Sequence, residues 1–250
     1  MNKIIAHRGL SARAPENTLA AIDRAVAIGA GGVEFDVQLA RDGVPVVIHD
    51  ETLFRYTRRK DKVADLTSKQ LARTDVGSWF NRKHRRFADA VFARETVPTL
   101  SSVLKALAGY SGLIYIELKC DQSNFRELTE AVCDLVRDSP LLPQIIIKSF
   151  KLAVIPEVRH QIASVQTAAL FAPEIVHFLR RREHIIALAR EFGAQQLSVH
   201  HSLITRRLCA LASDAGMPVT VWTVDDPRWL IRRRSFGLTA LITNDPERFG

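Results

Sequence analysis

Seven ionisable side chains occur within or directly after four short apolar runs, where a buried strand by itself has no need of them. The runs are Lys3–Gly9, Gly32–Gln38, Pro45–Asp50 and Leu113–Lys119, and the side chains are His7, Arg8, Glu34, Asp36, His49, Glu117 and Lys119. Because side chains alternate along a strand, Glu34 and Asp36 leave the same face, as do Glu117 and Lys119. Carboxylates among Val, Ile and Phe are costly in a dry core unless they are paired or bind a metal. The seven groups therefore predict one site for a metal and an anion.

The chemistry open to this set is cation binding combined with proton transfer. Three carboxylates without a thiolate are an all-oxygen ligand set, which favours Mg²⁺, Ca²⁺ or Mn²⁺ over zinc and leaves the choice among the three open. Arg8 and Lys119 suit an anion that develops charge, and the two imidazoles suit general acid and base catalysis near neutral pH. A competing interpretation makes the three acids a buried salt-bridge network with the two cations.

Strand-like and helical patterns alternate along the rest of the chain. Further strands are predicted at Gln144–Phe150, Ser164–Phe171, Gln196–His201, Met217–Val224 and Thr239–Asp245. Helices are predicted from an Asn17 N-cap to Gly29 and from a Thr99 N-cap to Gly109. Three more are predicted at Phe125–Arg137, His184–Phe192 and Ile204–Ala215. The prediction thus gives nine strands, one more than an eightfold barrel needs.

The strand-like runs Gly32–Gln38 and Pro45–Asp50 are too close in sequence for a parallel crossover, which takes a dozen or more residues. A hairpin that turns at Asp42-Gly43 fits better. We expect Gln38 to pair with Val47, so that Asp36 faces His49. Eight strands then remain for a (β/α)8 TIM barrel, whose active site lies at the C-terminal ends of the strands, where the polar groups occur. The alternative of an open doubly wound sheet is less well supported, because no glycine-rich phosphate-binding motif follows any strand.

Residues 51–95 interrupt the alternation with a charged segment that contains one predicted short helix, Ser68–Arg73. The segment is too long for a bare loop in a compact domain, so we expect a small cap-like insertion over the barrel mouth. The chain as a whole, 1–250, is expected to be one TIM-barrel domain, since its length suits a single large core.

Composition and cysteine usage restrict the class of protein. The net charge is +8, with basic clusters at 58–60, 82–86 and 232–234, but no nucleic-acid recognition motif accompanies them. Cys120, Cys133 and Cys209 show no CxxC spacing, which indicates a reducing compartment. Strand-like sequence begins at Lys3 and no apolar run approaches the roughly 20 residues of a membrane span. We therefore expect a cytoplasmic protein with no nucleic-acid partner and no membrane span; its oligomeric state is open.

Nine short motifs occur in an order and spacing typical of one enzyme family. They are HRG (7–9), PENT (15–18), EFDV (34–37), DG (42–43), HD (49–50), VPTL (97–100), IELK (116–119), SF (149–150) and WTV (222–224). In this set the chain resembles the glycerophosphodiester phosphodiesterase family over nearly its whole length. Two departures are LFRYTRR (53–59), without the usual glycine at its turn, and Asn244, where Asp is common.

The resemblance implies a TIM barrel with an insertion after the HD motif and a role in lipid and glycerol metabolism. It implies metal-dependent hydrolysis of glycerophosphocholine, glycerophosphoethanolamine and similar diesters to glycerol 3-phosphate and an alcohol. By resemblance the metal ligands are Glu34, Asp36 and Glu117, which hold one Mg²⁺ or Ca²⁺ (Mn²⁺ also fits), the acid/base pair is His7 and His49, and the phosphate contacts are Arg8 and Lys119. Whether the nucleophile is water or the glycerol 2-hydroxyl stays open.

Several polar or aromatic residues outside this set keep simpler interpretations. We assign Trp222 to substrate binding, at the alcohol end of the pocket with Phe150, although barrel core suits both equally. Glu16 and Asn17 are assigned to structure, and one of His200 and His201 is a weaker candidate for the site. We expect surface positions for His84, His160, His177 and His184. A scaffold without activity, or a phospholipase of intact lipids, is disfavoured by the complete acid and histidine set and by the absence of a long apolar surface helix.

Overall fold

Eight parallel strands close into a barrel in the computed structural model, which describes residues 3–173 and 183–250. The strands are β1 (Ile4–His7), β2 (Gly32–Leu39), β3 (Pro45–Val47), β4 (Leu113–Leu118), β5 (Ile145–Ser149), β6 (Gln166–Phe171), β7 (Gln196–His200), β8 (Val219–Trp222) and β9 (Ala240–Thr243). β1 pairs in parallel with both β2 and β9, which closes the sheet, whereas β3 is antiparallel to β2. The predicted (β/α)8 barrel is confirmed.

Helices surround the barrel between its strands. They are α1 (Leu19–Ala27), α2 (Phe54–Thr57), α3 (Ser68–Leu71), α4 (Ser78–Lys83), α5 (Leu100–Ala106), α6 (Phe125–Val136), α7 (Val154–Gln161), α8 (Glu183–Glu191), α9 (Arg206–Asp214) and α10 (Trp229–Phe236). The Thr99 cap is confirmed, but the Asn17 cap is wrong, because the Thr18 hydroxyl accepts the hydrogen bond from the first turn of α1. Asn17 instead has a φ of 58° and turns its side chain into the barrel mouth.

The barrel interior has an apolar layer below a polar one. Ile5, Tyr115 and Ile146 belong to a buried cluster with residues of β6 and β9. Two positions further along the same strands, and so on the same inward face, stand His7, Glu117 and Lys148. Two larger apolar clusters fill the space between the strands and the surrounding helices. The polar groups therefore meet at the C-terminal ends of the barrel strands.

The β2–β3 hairpin differs from its predicted register by one residue. Gln38 lies opposite Val46, and not opposite Val47 as predicted. The loop has three residues, 41–43, with Gly43 at a φ of 73°, whereas the predicted pairing needs a two-residue turn. The backbone oxygen of Asp36 accepts a hydrogen bond from the N–H of Ile48. His49 therefore comes after the ladder and does not face Asp36 across it.

The segment 51–95 contains more regular structure than the single predicted helix. Besides α3 it holds α2, α4 and 3₁₀ turns at Val63–Asp65, Arg85–Phe87 and Ala90–Arg94. Its apolar side chains Tyr56, Trp79, Phe80 and Phe92 belong to one buried cluster with Ile48 of the hairpin. The missed helices are only four and six residues long, too short for an apolar period to be visible in the sequence.

In the part of the chain that the structure describes, no helix combines the length and apolar character needed to cross a bilayer.

Among the histidines predicted at the surface, His160 and His184 are exposed. The surface position predicted for His84 is wrong, because this residue is half-buried and its ring stacks on that of Phe80 at a centroid distance of 4.6 Å. His177 lies outside the described residues.

Candidate active site

Three carboxylates on two neighbouring strands form a buried acidic cluster. Glu34 and Asp36 belong to β2, Glu117 belongs to β4, and the ladder sets Asp36 directly opposite Glu117. Their exposed fractions are 0%, 1% and 6%. One oxygen atom from each side chain lies within 4.8 Å of the others. The three acids that the sequence singled out are thus one group in three dimensions.

The two predicted cations contact different oxygen atoms of this acidic cluster. The backbone N–H of Arg8 donates to Glu34 Oε2 at 3.1 Å, and its Nε lies 3.1 Å from Asp36 Oδ2. Lys119 Nζ lies 2.9 Å from Glu117 Oε1 and 3.6 Å from Asp36 Oδ1. Both side chains are partly accessible, at 17% and 22% of full exposure. They can therefore contact the acids and a bound anion from the barrel mouth.

Lys148 is a third cation of the cluster, and the sequence interpretation missed it. It lies on β5 opposite Glu117 and is 2% exposed. Its Nζ lies 2.7 Å from Glu34 Oε1 and 3.5 Å from Glu117 Oε2. The available signal was a lysine inside the otherwise apolar run QIIIKSF, since a buried lysine needs a partner of opposite charge.

Asn17 also belongs to the site, although the sequence assigned it to structure. Its Nδ2 donates to Asp36 Oδ2 at 2.9 Å, and its Oδ1 accepts from the Asp36 backbone N–H at 3.2 Å. Burial raises the pKa of Asp36, but the charges of Arg8 and Lys119 outweigh burial and hold that pKa well below its usual range. Burial likewise raises the pKa of Glu34, but its charged neighbours, Lys148 first among them, together lower that pKa by more, so the net shift is downward.

The two predicted catalytic histidines have different hydrogen-bond partners. His7, at the end of β1, places Nδ1 2.7 Å from Asn244 Oδ1 and Nε2 3.9 Å from Glu34 Oε2. His49 places its Nδ1 2.8 Å from the carboxylate oxygen Oδ1 of Asp50. At Nδ1, therefore, His7 has a neutral amide partner and His49 has an anionic partner.

Arg55 of the insertion links the two sides of the barrel mouth. Its guanidinium donates to both oxygens of Asp50, at 2.7 and 3.0 Å, and to Glu16 Oε1 at 2.7 Å. Glu16 also accepts from Arg8 at 2.7 Å. A continuous chain of ion pairs thus connects the carboxylate beside His49 to the arginine on the acidic cluster.

Two further features complete the mouth. A pocket of about 300 Å³ is lined by His49 and Lys119 together with Gln38, Cys120 and Asn124. Across the barrel, Trp222 lies edge-on to Phe150 at 5.6 Å and to His200 at 5.1 Å. The Trp222 Nε1 is buried and makes no hydrogen bond to the described residues. The mouth therefore has a charged side and an aromatic side.

The acidic cluster has the donor chemistry of a divalent-cation site. Its three ligand atoms are carboxylate oxygens, which hard cations such as Mg²⁺, Ca²⁺ and Mn²⁺ prefer. Their mutual spacing, within 4.8 Å, is less than twice a metal–oxygen distance of about 2.6 Å, so one cation could contact all three carboxylates. The residues present fit the group that the sequence predicted.

We predict that Lys148→Met lowers the free energy of unfolding of the metal-free protein by about 3–5 kcal/mol. The change removes the cation that lies 2.7 Å from buried Glu34 and leaves Glu117 with Lys119 alone, while methionine keeps the apolar stem. Urea unfolding measures the loss. Lys105→Met, on the exposed side of α5, removes the same charge and should change stability by less than about 0.5 kcal/mol. Equal stability of the two variants would contradict a structural ion pair at Lys148.

Comparison with known proteins finds one enzyme family that matches nearly the whole chain. The model of the glycerophosphoryl diester phosphodiesterase family matches residues 7–248. A glycerophosphodiester phosphodiesterase of Caldanaerobacter subterraneus subsp. tengcongensis is 32% identical over 247 residues, 98% of this chain and 94% of that protein.

Two solved structures extend the likeness to three dimensions. A glycerophosphodiester phosphodiesterase from Agrobacterium tumefaciens has a TM-score of 0.79 at 26% identity, covering 100% of this chain and 99% of the other. An Oleispira antarctica phosphodiesterase in complex with the product sn-glycerol-3-phosphate shares the fold, with a TM-score of 0.85 at 24% identity, covering 100% and 95%. The resemblance predicted from nine sequence motifs is confirmed, and the chain belongs to the glycerophosphoryl diester phosphodiesterase family.

Proposed function

We propose that this protein hydrolyses glycerophosphodiesters, such as glycerophosphocholine and glycerophosphoethanolamine, to glycerol 3-phosphate and an alcohol in a metal-dependent reaction. The observation that supports it best is the buried acidic cluster of Glu34, Asp36 and Glu117 at the barrel mouth. A cluster of this kind costs stability, so its retention beside two imidazoles favours a catalytic use.

In this proposal the three acids hold one divalent cation, either Mg²⁺ or Ca²⁺, with Mn²⁺ as a further candidate. When bound, such a cation neutralises phosphodiester charge and acts as a Lewis acid. Arg8 and Lys119, both partly accessible and both on the acidic cluster, bind the phosphate oxygens and stabilise the charge that builds up during displacement.

His7 and His49 divide the proton transfers. His7 accepts the proton of the nucleophile at Nε2: the O–H bond breaks, an N–H bond forms, and the oxygen electron pair attacks phosphorus. His49 donates a proton to the departing alcohol oxygen as the P–O bond breaks. The partners support this order, since the Asp50 carboxylate stabilises a proton-donating imidazolium and the Asn244 amide suits a neutral base.

The pocket and the insertion have roles in substrate binding. The 300 Å³ pocket beside His49 and Lys119 is the proposed site of the departing alcohol. The aromatic side formed by Trp222 and Phe150 is proposed as an apolar wall for the substrate. Residues 51–95 act as a cap within the single domain 1–250, since Arg55 reaches from the cap to the carboxylate beside His49.

A cytoplasmic location is also proposed. Cys120, Cys133 and Cys209 are all free thiols, as expected of a protein from a reducing compartment. Fractionation of cells that express the tagged chain tests the location, and recovery outside the cytoplasm contradicts it.

Metal removal tests the proposed cofactor. Treatment with EDTA should abolish hydrolysis of glycerophosphocholine, and Mg²⁺, Ca²⁺ or Mn²⁺ should restore it. The same ion should raise the melting temperature of the apoprotein, because a ligand that binds only the folded state stabilises it. Glu34→Gln should remove both the activity and the thermal shift. Full activity of exhaustively demetallated protein would show that the acids serve another purpose.

Leaving-group chemistry tests the two histidines. His7→Ala and His49→Ala should each lower kcat/KM on glycerophosphocholine by about 10²- to 10⁴-fold. A p-nitrophenyl phosphodiester releases a stable anion and needs little protonation, so His49→Ala should impair its cleavage far less than His7→Ala does. The absorbance of the released p-nitrophenolate measures the rate of this cleavage. The roles are reversed if His7→Ala is the variant that the activated ester rescues.

Arg55→Ala tests the link between cap and acid. Arg55 holds both oxygens of Asp50, the hydrogen-bond partner of His49. Without Arg55 the Asp50 carboxylate can move and His49 loses its orientation, so kcat on glycerophosphocholine should fall by up to roughly 10²-fold. The p-nitrophenyl ester should be affected less, as for His49→Ala. Arg59→Ala removes the same charge from an exposed cap position and is the matched control. Similar losses for both variants would indicate a general charge effect.

A further inference from the structure

The first and last barrel strands join a histidine to an asparagine. β1 pairs with β9 with Ala6 opposite Thr243, so His7 and Asn244 are the next residues along the two strands. His7 Nδ1 lies 2.7 Å from Asn244 Oδ1, and the Ser11 hydroxyl donates to the same oxygen at 3.0 Å. An amide oxygen only accepts hydrogen bonds, so this contact requires the proton of a neutral imidazole on Nδ1.

Asp225 determines which way the Asn244 amide points. Its Oδ2 accepts from Asn244 Nδ2 at 2.7 Å, and its Oδ1 accepts from the Asn244 backbone N–H at 2.8 Å. The Thr243 hydroxyl donates to the same Oδ1 at 2.9 Å. Rotation of the amide would set its oxygen against this carboxylate and its NH₂ group against His7. The carboxylate therefore excludes the rotated amide.

A neutral imidazole has one N–H and one lone pair on its two ring nitrogens. With the N–H on Nδ1, the lone pair is on Nε2, the nitrogen that lies 3.9 Å from Glu34 Oε2 and so on the side of the acidic cluster. We infer that Asn244, oriented by Asp225, is the positioning residue of His7 and holds the Nδ1–H tautomer with the Nε2 lone pair toward the site. The catalytic meaning of this tautomer rests on the proposed function; the tautomer itself does not.

The tautomer can be measured without activity. Protein labelled with ¹⁵N-histidine, at a pH where His7 is neutral, should show a protonated Nδ1 and an unprotonated Nε2 in two-bond ¹H–¹⁵N spectra. The His7 signals are assigned by their loss in His7→Gln. Asn244→Leu should shift His7 toward the Nε2–H form, whereas Ser11→Ala, which removes the other donor to Asn244 Oδ1, should not. An Nε2–H tautomer in the unaltered protein, or an unchanged tautomer in Asn244→Leu, would overturn the inference.

Kinetics provide a second readout. Asn244→Leu should lower kcat by roughly 10²-fold with little change in KM, since orientation of the base is lost and substrate contacts remain. Asp225→Asn should lower kcat less, because it permits amide rotation without forcing it. Adding Asn244→Asp to Asp225→Asn should restore both kcat and the Nδ1–H tautomer, because a carboxylate then accepts from Nδ1 and from the new amide.

No recovery of the tautomer in that double variant would also overturn the inference. A failure of the proposed function looks different. If the unaltered protein hydrolyses no glycerophosphodiester, the ¹⁵N spectra still report whether Asn244 and Asp225 set the tautomer.

Discussion

Three negative charges in the interior of a barrel are the constraint on which the remaining structure depends. Each buried carboxylate costs several kcal/mol of solvation unless cations and donors replace the lost water. Here the replacement comes from different strands and loops: Arg8 follows β1, Lys119 follows β4, and Lys148 belongs to β5. Charge balance at the centre is thus achieved only when these segments are in register. A shift by one residue along any of these strands would turn its charged side chain outward.

The same inward face supplies two environments along the barrel axis. Below, apolar side chains such as Tyr115 fill the interior, and above, the acids and cations meet under the mouth. The apolar layer excludes water from one side of the acidic cluster, which strengthens each charge interaction there. The acidic cluster is therefore accessible from the open side, where the Nδ1 atoms of the two histidines have partners of different charge.

The sequence predicted the features that depend on short-range pattern. The alternation of side chains along a strand predicted that Glu34 and Asp36 share one face, as do Glu117 and Lys119. The short connection after β2 predicted a hairpin. It did not predict the register, because two- and three-residue loops both accommodate Gly43, nor the cap at Thr18, because Asn and Thr cap helices almost equally well. Lys148 was missed although a lysine in an apolar run signals a buried ion pair, because such a run does not show which distant carboxylates are its partners.

The contact between His7 and Asn244 spans 237 positions of the chain. A ribosome that adds about 5 to 20 residues per second needs roughly 10 to 50 s to traverse that interval. During this time the emerging chain already exposes its acids, while Lys148 and then the partner of His7 are still to be made. A nascent chain that stops before β9 therefore already contains the three acids and both histidines, but it lacks Asn244, the residue that we infer positions His7.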